Sequence, residues 1–449
     1  MPVSADALFE WHRRPGAFER LVPPWQRIAV VARSGASLQP GSRVTLRLHA
    51  GPLAVDWLAE HGPLEPGRSF VDHQLSGPFR TWTHRHLCEP RGPTVSTLVD
   101  DVRYELYGGP VGALGDGYAR REIERLLAYR HRVTARDLGW HNQYGGKAMK
   151  VAVTGATGLI GSALVPFLRS GGHDVVPLRR AAAGDGDGGP SWDPASGALS
   201  AGALDGVDAV VHLAGENVAG GRWTSARKAR IRDSRVDGTR RLAEALAGLP
   251  GRPRTLVAAS AIGFYGDRGE QRLDEADAPG DDFLADVCQE WEAAATPARN
   301  ARIRVVHLRI GIVLTPEGGA LGQMLLPFRM GVGGVIGSGR QYMSWVALDD
   351  VLGGILHALR TDGLAGPVNM VAPHPVTNAE FTKTLGRVLR RPTILPLPAF
   401  GARLAFGEMA DALLLSSARV EPARLREAGF EFGYPDLDDA LRHVLGRGA

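Results

Sequence analysis

The sequence predicts an α/β fold built on a doubly wound parallel sheet, preceded by an α+β domain. Two observations carry this prediction. After Met149, short runs of β-branched residues alternate with helical patterns, as in a parallel sheet with crossover helices. Before about residue 145, strand-like runs follow one another between Gly and Pro turns, which indicates an antiparallel sheet. The length of 449 residues suits two or three domains.

The first predicted domain spans residues 1–145 and has helices at both ends. An initial helix covers residues 7–21, and a closing helix covers residues 121–132. The strand-like runs between them are 26–32, 43–49, 69–75, 79–87 and 94–106. Residues 137–147 are polar, end in two glycines and predict a linker. Met149 follows like the first residue of a separate protein, so we expect a fusion.

This order of elements, with Pro23-Pro24-Trp25, resembles the START-like, polyketide-cyclase-like (SRPBCC) helix-grip domains. The resemblance implies a curved sheet wrapped around the closing helix and an apolar cavity. Such domains open with a strand, for which residues 1–5 are too short, so the reading frame starts late or the sheet lacks one strand. We expect a module that folds independently and binds an apolar ligand against aromatic side chains: Phe70, Phe79 and Trp82. The alternative is a region that only caps the second domain.

Trp82, His84 and His86 share one face of an alternating strand. Two histidines spaced i, i+2 could be part of a metal site, but the sequence does not place a third ligand. The alternative to a metal site is that the two histidines line the cavity or face solvent. We therefore predict no metal site.

The second domain begins with a β-branched run, Lys150–Thr154, followed by three regularly spaced glycines and an apolar helical pattern. Gly155 permits a sharp turn, Gly158 permits close approach of a pyrophosphate, and Gly161 permits close helix packing. The amino end of the next helix then faces the anion. This pattern predicts a Rossmann fold that binds a dinucleotide. The cofactor contacts assigned here are Thr154, Gly155, Gly158, Leu159, Ile160 and Gly161.

Two prolines fit this unit less well. Pro166 lies inside the predicted helix and Pro177 inside the second strand, and each removes a backbone donor. We expect a kinked helix and a locally irregular strand.

The end of the second strand indicates which dinucleotide binds. It reads Leu178-Arg179-Arg180, and no acid follows until Asp185. An acid there would accept from the ribose 2′-OH of NAD, whereas arginine suits the 2′-phosphate of NADP. We therefore predict NADP, with Arg179 and Arg180 as ligands. The alternative is a pair of solvated arginines.

Further strands should end at the same edge of the sheet. The run 208–215 predicts a buried strand whose last residues, Leu213, Ala214 and Gly215, contact the cofactor through their backbone. Another strand, 255–261, carries Ser260 near its end, and Ser260 is also assigned as a cofactor contact. The other predicted elements are a long basic helix (224–247), a strand (305–314) interrupted at Arg309-Ile310-Gly311, a Gly-rich lid or substrate wall (321–344), a helix (349–359) and a small helical tail (391–447). The basic helix has a solvated face, or it attracts an acidic substrate or the cofactor phosphates.

Several motifs together resemble the extended short-chain dehydrogenase/reductase family over residues 149–445. They are Thr154-Gly155-x-x-Gly158-x-x-Gly161, Val210–Gly215, Ser260 with Tyr265-Gly266-Asp267, Arg309-x-Gly311 and Trp345-Val346-x-x-Asp349-Asp350. Other segments are similar to the epimerase-like subgroup, nucleoside-diphosphate-sugar epimerase-related, with its own carboxy-terminal domain: 192–194, 215–224, 232–239, 260–266, 407–410 and 425–430. The resemblance implies an NADP-binding epimerase-like domain over 149–385.

The family's chemistry uses a Tyr and a Lys four residues later on one helix, and the Lys lowers the pKa of the Tyr. The matching positions here are Leu284 and Cys288, and neither can do this work. Ser260 matches the substrate-orienting Ser of the family. Tyr265 is the nearest phenol that could replace the missing acid, so the catalytic candidates are Ser260 and Tyr265.

Composition narrows the remaining choices. The net charge of +4 is small for this length and argues against nucleic-acid binding. Cys88 and Cys288 are far apart, which fits a reducing cytoplasm, and no apolar run reaches the ~18 residues of a membrane span. We expect a cytoplasmic protein without a membrane span, and a homodimer is one assembly that it could form.

Two functions stay open at this point. One is an NADP(H)-dependent epimerase-like oxidoreductase acting on a small carbonyl or hydrophobic molecule. The other is a non-catalytic NADP(H)-binding sensor, which the absence of the Tyr and Lys favours.

Overall fold

The computed structural model describes residues 1–35, 38–50, 53–180 and 189–448. The chain divides into two compact units, one formed mainly by residues 1–146 and the other mainly by residues 147–447. Among the described residues, no helix is both long and apolar enough to cross a membrane.

The amino-terminal unit is an antiparallel sheet with helices before and after it. Its helices are α1 (Ala5–Arg13), α2 (Ala17–Arg20), α3 (Gly109–Gly112) and α4 (Asp116–Gln143). Its six strands pair in chain order: β1 (Arg27–Ser34), β2 (Arg43–Ala50), β3 (Leu53–Glu65), β4 (Ser69–Ser76), β5 (Thr81–Pro90) and β6 (Ser96–Glu105). The strand β3 was not predicted from the sequence. Gly62 and Pro63 lie within it, and such residues usually mark turns. The register shifts there between His61 and Leu64, and such a bulge tolerates proline.

The predicted linker over residues 137–147 is wrong for its first half, because α4 continues to Gln143. Asp137 is fully buried and accepts two hydrogen bonds from Arg20, at 2.8 Å from Nε and 2.9 Å from Nη2. This bidentate pair fixes the last turns of α4 against α2, which polarity alone did not reveal.

The described part of the second unit contains a parallel sheet of seven strands: β7 (Lys150–Thr154), β8 (Asp174–Arg180), β9 (Ser191–Trp192), β10 (Ala209–His212), β11 (Thr255–Ala261), β13 (Arg304–Ile310) and β17 (Gly366–Met370). They lie in the order β9-β8-β7-β10-β11-β13-β17. This arrangement confirms the predicted Rossmann fold class. Because β7 lies between β8 and β10, the chain reverses its direction of winding beside β7, where such sheets bind ligands.

Short strands and many helices complete this unit. The strands are β12 (Arg272–Leu273), β14 (Ile312–Leu314), β15 (Tyr342–Met343), β16 (Trp345–Ala347), β18 (Val376–Thr377) and β19 (Arg419–Val420). The helices are α5 (Gly161–Ser170), α6 (Ser225–Gly248), α7 (Phe283–Ala293), α8 (Thr296–Asn300), α9 (Gly319–Arg329), α10 (Leu348–Arg360), α11 (Asn378–Leu389), α12 (Ala399–Phe406), α13 (Glu408–Ala410), α14 (Ala423–Glu427) and α15 (Leu437–Leu445). The tail shares a buried core with α9 and α11.

The predicted interruption of the strand over 305–314 is confirmed. It falls at Gly311, where a Cβ would lie 2.5 Å from the Ser344 carbonyl oxygen, and β14 leaves the sheet and pairs with β16. Two other expectations about local structure need correction. The segment 321–344 is partly the helix α9, whose Leu321 and Leu325 are buried. The irregularity expected at Pro177 is absent from the described pairing of β7 with β8, whose register is continuous through Pro177. On its other side β8 pairs with β9 only at Arg179 and Arg180, so no strand lies beside Pro177 there.

Candidate dinucleotide and substrate site

The turn between β7 and α5 has a shape that only glycine permits at two positions. Gly155 has φ +67°, and a Cβ there would lie 2.8 Å from the Ala214 nitrogen. A Cβ at Gly161 would lie 2.2 Å from the Gly155 carbonyl oxygen. The turn is therefore packed directly against the backbone that follows β10.

Gly158 differs from the other two glycines because its exposed side is open. A Cβ there would meet only the Gly155 carbonyl oxygen, at 3.2 Å, among the atoms of the described chain. The Gly158 amide donates to that same oxygen at 2.9 Å, which tightens the turn. Leu159 and Ile160 follow at the amino end of α5, where the helix dipole favours an anion. This geometry suits the approach of a phosphate.

Thr154 belongs to a buried polar chain beneath the turn. Its Oγ1 lies 2.7 Å from Nδ1 of His212, and Nε2 of His212 lies 3.0 Å from Oγ1 of Thr239. The indole nitrogen of Trp291 also donates to Thr239, at 2.9 Å. Burial lowers the pKa of His212 to about 4, so its ring is neutral. The Thr154 side chain thus joins β7 to β10, a role that the sequence did not reveal.

Residues that follow β10 lie at the same edge as the turn. The Leu213 amide donates to the Thr154 carbonyl oxygen at 3.2 Å, and Ala214 lies against Gly155. Gly215 is exposed and lies beside the guanidinium of Arg235. The structure therefore brings these three predicted residues together with the glycine turn.

Arg179 and Arg180 end β8, and both are exposed. They pair in register with Ser191 and Trp192 of β9. The Arg179 guanidinium lies against Gly189, where a Cβ would come within 2.1 Å of it. Asp185, the first acid after these arginines, lies outside the described residues.

Ser260 lies near the carboxyl end of β11 and is part of a buried ionic group. Its hydroxyl donates to Oε1 of Glu292 at 2.8 Å. Arg309 donates to both oxygens of that carboxylate, from Nε at 2.8 Å and from Nη2 at 2.9 Å. Arg309 is 3% exposed, so this pair is well shielded from water. It joins α7 to β13 and determines the direction of the Ser260 hydroxyl.

Glu292 is not among the site residues predicted from the sequence. One signal was available, since Glu292 follows Leu284 and Cys288 at successive intervals of four residues along α7. Residues spaced in this way share one helix face. The carboxylate therefore lies on the face where the family's Tyr and Lys are expected.

Tyr265 occupies the core and is fully buried. Its hydroxyl donates to Oδ1 of Asn369 at 2.7 Å and accepts from Nη1 of Arg309 at 3.0 Å. Burial raises the pKa of Tyr265 to about 12. This position does not suit a group that exchanges a proton with a substrate.

Leu284 and Cys288 of α7 lie beside Gly263, which belongs to the segment that follows Ser260 in the chain. A Cβ at Gly263 would lie 3.3 Å from the Leu284 Cβ and 3.9 Å from the Cys288 sulfur. Burial raises the pKa of the Cys288 thiol to about 12, so the thiol is neutral. An apolar side chain and a neutral thiol thus occupy the positions expected for Tyr and Lys.

Comparison with known proteins decides the family. An epimerase family protein of Mycobacterium bovis is 45% identical over 298 residues, which are 66% of this chain and 98% of that relative. The chain belongs to the NAD dependent epimerase/dehydratase family. The family's own sequence pattern matches residues 151–371, and a domain of unknown function, DUF1731, matches residues 397–444. Membership of this family supports NAD(P) binding.

Two solved structures resemble this chain over different parts of its length. The human epimerase family protein SDR39U1, solved with NADPH, is 37% identical, covers 67% of this chain and 100% of its own, and has a TM-score of 0.61. A nucleoside-diphosphate sugar epimerase from Corynebacterium glutamicum is 33% identical, covers 99% of this chain and 89% of its own, and has a TM-score of 0.79. The second match includes the amino-terminal unit.

Proposed function

We propose that this protein is an NADP(H)-dependent, epimerase-like oxidoreductase that acts on a small carbonyl-bearing or hydrophobic molecule. The observation that carries the proposal is the glycine turn, which is open at Gly158 and faces the amino end of α5. A pyrophosphate fits such a turn because backbone amides and a helix dipole favour negative charge there. The cofactor-binding residues that we propose are those of the turn together with Leu213, Ala214 and Gly215.

The choice of NADP rests on the end of β8. Arg179 and Arg180 are exposed beside β9, and a guanidinium suits the bidentate recognition of a 2′-phosphate. The human relative solved with NADPH supports the same choice. Cys88 and Cys288 are buried and form no disulfide, which agrees with the proposed cytoplasmic location. A homodimer and an apolar ligand of the amino-terminal domain stay predictions.

A bound nicotinamide would supply or accept a hydride. Ser260 donates its own proton to Glu292, which Arg309 holds in place, so it would orient the substrate by accepting a hydrogen bond from a substrate hydroxyl. Leu284 and Cys288 would form an apolar wall beside it. We assign Tyr265 a structural role, since its hydroxyl is buried among Asn369, Arg309 and the Asp274 carbonyl.

A second candidate is a protein that binds NADP(H) without turnover. The specific observation in its favour is the contact of Leu284 and Cys288 with Gly263, which leaves neither a phenol nor an ammonium at the positions used by the family. Such a protein would report the redox state of the cofactor pool or whether its ligand is bound.

The two candidates differ in a direct experiment. NADPH is mixed with the protein and a panel of aldehydes, ketones and nucleotide sugars, and the absorbance of the reduced nicotinamide is recorded. Oxidation that depends on one substrate class and is lost in Ser260→Ala supports the oxidoreductase. Tight NADPH binding without oxidation across the panel supports the second candidate, and absence of binding contradicts both.

Tyr265→Phe tests the role given to that residue. The variant should keep its turnover, because the phenol is not placed to meet a substrate. If Tyr265→Phe folds normally and loses turnover while substrate binding is unchanged, Tyr265 is the proton donor.

A further inference from the structure

A cluster of imidazoles and carboxylates lies on one face of the amino-terminal sheet. Asp72 on β4 is directly opposite His84 on β5, and His86 on β5 is directly opposite Asp100 on β6. His84 and His86 are 3% and 7% exposed. Three neighbouring strands thus direct four chemically active side chains to one place inside the domain.

The distances within this cluster are short. Nε2 of His84 lies 2.9 Å from Oδ1 of Asp100, and Nδ1 of His86 lies 2.8 Å from the same oxygen. Nε2 of His86 lies 3.3 Å from Oδ2 of Asp72. One ligand atom from each of Asp72, His84 and His86 can be chosen so that all three lie within 4.8 Å of one another.

One atom of the cluster is not satisfied by hydrogen bonds. Nδ1 of His86 is buried, and its approach to Asp100 lacks the geometry of a hydrogen bond. Buried polar atoms almost always have a partner, so an orphaned one calls for a ligand or another explanation. Nδ1 of His86 faces Asp100 and its Nε2 faces Asp72, so a cation bound on the Nε2 side would leave Nδ1 in contact with Asp100.

We propose that Asp72, His84 and His86 bind a divalent first-row transition metal, with Asp100 holding both imidazoles in orientation. Two imidazoles and one carboxylate form a ligand set that suits zinc and ferrous iron. Metal-bound histidines usually use their second nitrogen on a carboxylate, and Asp100 contacts both rings. Three protein ligands leave a coordination position open for water or another small ligand.

The geometry requires only a small adjustment on binding. Metal–ligand bonds of about 2.0–2.2 Å place neighbouring ligand atoms roughly 3.3 Å apart in a tetrahedral site. The three ligand atoms are already within 4.8 Å, so side-chain rotation can complete the site. All three ligands are on hydrogen-bonded strands, which keep their backbones in place.

The cluster is covered by helices but can be reached from solvent. His12 of α1 has its ring centre 6.1 Å from that of His86, and it covers one side. His131 of α4 covers the other side, where its Nε2 lies 2.5 Å from Oδ2 of Asp100. The side chain of Asp72, one of the three proposed ligands, is 25% exposed, so solvent reaches the cluster at that residue.

The site also modifies the expectation of a purely apolar cavity. Phe70 stacks on His86 with ring centres 4.1 Å apart, and Trp82 lies beyond His84 on the same strand. The predicted aromatic wall is therefore interrupted by the metal-ligand set. The competing interpretation is a network of buried ion pairs that holds the strands together without any metal.

Cobalt(II) distinguishes these interpretations because its visible absorption reports coordination. The full chain, without a histidine tag, is stripped with a chelator and titrated with Co²⁺, and metal content after loading with Zn²⁺ or Fe²⁺ is measured separately. We expect one Co²⁺ per chain and a saturable visible band. His84→Ala and His86→Ala should weaken binding at least 100-fold.

His49→Ala is the matched control, since His49 is exposed on β2 of the same sheet. It should bind Co²⁺ as the unchanged protein does. Asp72→Asn keeps the shape of the side chain and covers the case in which an alanine variant fails to fold. Co²⁺ should raise the melting temperature of the unchanged protein but not that of Asp72→Asn. Absence of saturable uptake by the unchanged protein, or equal uptake by His84→Ala or Asp72→Asn, would overturn the proposal.

Discussion

The dinucleotide end and the substrate end of the proposed site lie along the same edge of one sheet, yet they are built differently. The dinucleotide end is a backbone structure, in which Gly155, Gly158 and Gly161 shape the turn. The substrate end depends on side chains, with Ser260 held by the ion pair of Glu292 and Arg309. The first end follows its family's pattern, whereas the second has Leu284 and Cys288 at the positions of the acid/base pair.

This difference separates two kinds of damage. A substitution at the dinucleotide end should remove binding and leave the fold, because the open side of Gly158 faces away from the core. A substitution at the substrate end should first weaken the fold, because its charged groups are buried. Substitutions at the two ends test that separation.

Glu292→Ala should lower the free energy of unfolding by about 3–5 kcal/mol, because it leaves the buried Arg309 guanidinium without its carboxylate. Urea denaturation followed by circular dichroism measures this change. Glu292→Gln is the matched control, since it keeps the shape and part of the hydrogen bonding, and it should lose less. If the alanine variant is as stable as the unchanged protein, the ion pair does not support the substrate end.

Gly158→Val should reduce the affinity for NADPH and NADH alike by a factor of at least about 100, or about 2.8 kcal/mol, by blocking approach of the pyrophosphate. Calorimetry measures both cofactors. Gly251→Val is the control, because a Cβ at Gly251 meets nothing within 4 Å and the residue lies away from the turn. Both variants should unfold at the same urea concentration, and normal binding by Gly158→Val would contradict the assignment.

The buried chain beneath the turn predicts a pH effect on stability. His212 has a pKa of about 4 in the folded state against 6.5 when exposed, so the unfolded chain takes up its proton first as the pH falls. The contribution of His212 to the free energy of unfolding is fully present above pH 6.5. As the pH falls from 6.5 to 4, this contribution decreases by about 2–3 kcal/mol. His212→Gln should show a shallower loss over this interval than the unchanged protein. Equal slopes would mean that His212 does not carry the effect.

Arg179→Asp should weaken NADPH binding by about 2 kcal/mol and NADH binding far less, because only NADPH offers a 2′-phosphate to the guanidinium. Calorimetry with both cofactors gives the ratio. Arg426→Asp changes the net charge equally on α14 and should leave both affinities unchanged. Equal losses for NADPH and NADH in Arg179→Asp would sink the NADP assignment.

Local patterns were enough for the fold class and the dinucleotide turn. A strand, three spaced glycines and an amphipathic helix are adjacent in sequence, so the βαβ unit around Gly155 could be predicted without tertiary information. The same holds for α6 and α10, whose observed bounds are within one residue of the predicted ones. The bounds of such helices can be read from residues that are adjacent in the chain, because start and stop signals and helical spacing are local patterns.

Long-range pairing decided the remainder. Asp137 reads as part of a polar linker until Arg20 is placed beside it, and Glu292 reads as a solvated helix residue until β13 brings Arg309 to it. Asp72 is twelve residues before His84 in the chain, yet the antiparallel register sets them face to face. A single sequence does not contain this register in any local pattern, because it depends on which strands pair and where the bulges fall. The ion pairs and the proposed metal-ligand set therefore became visible only in the tertiary structure.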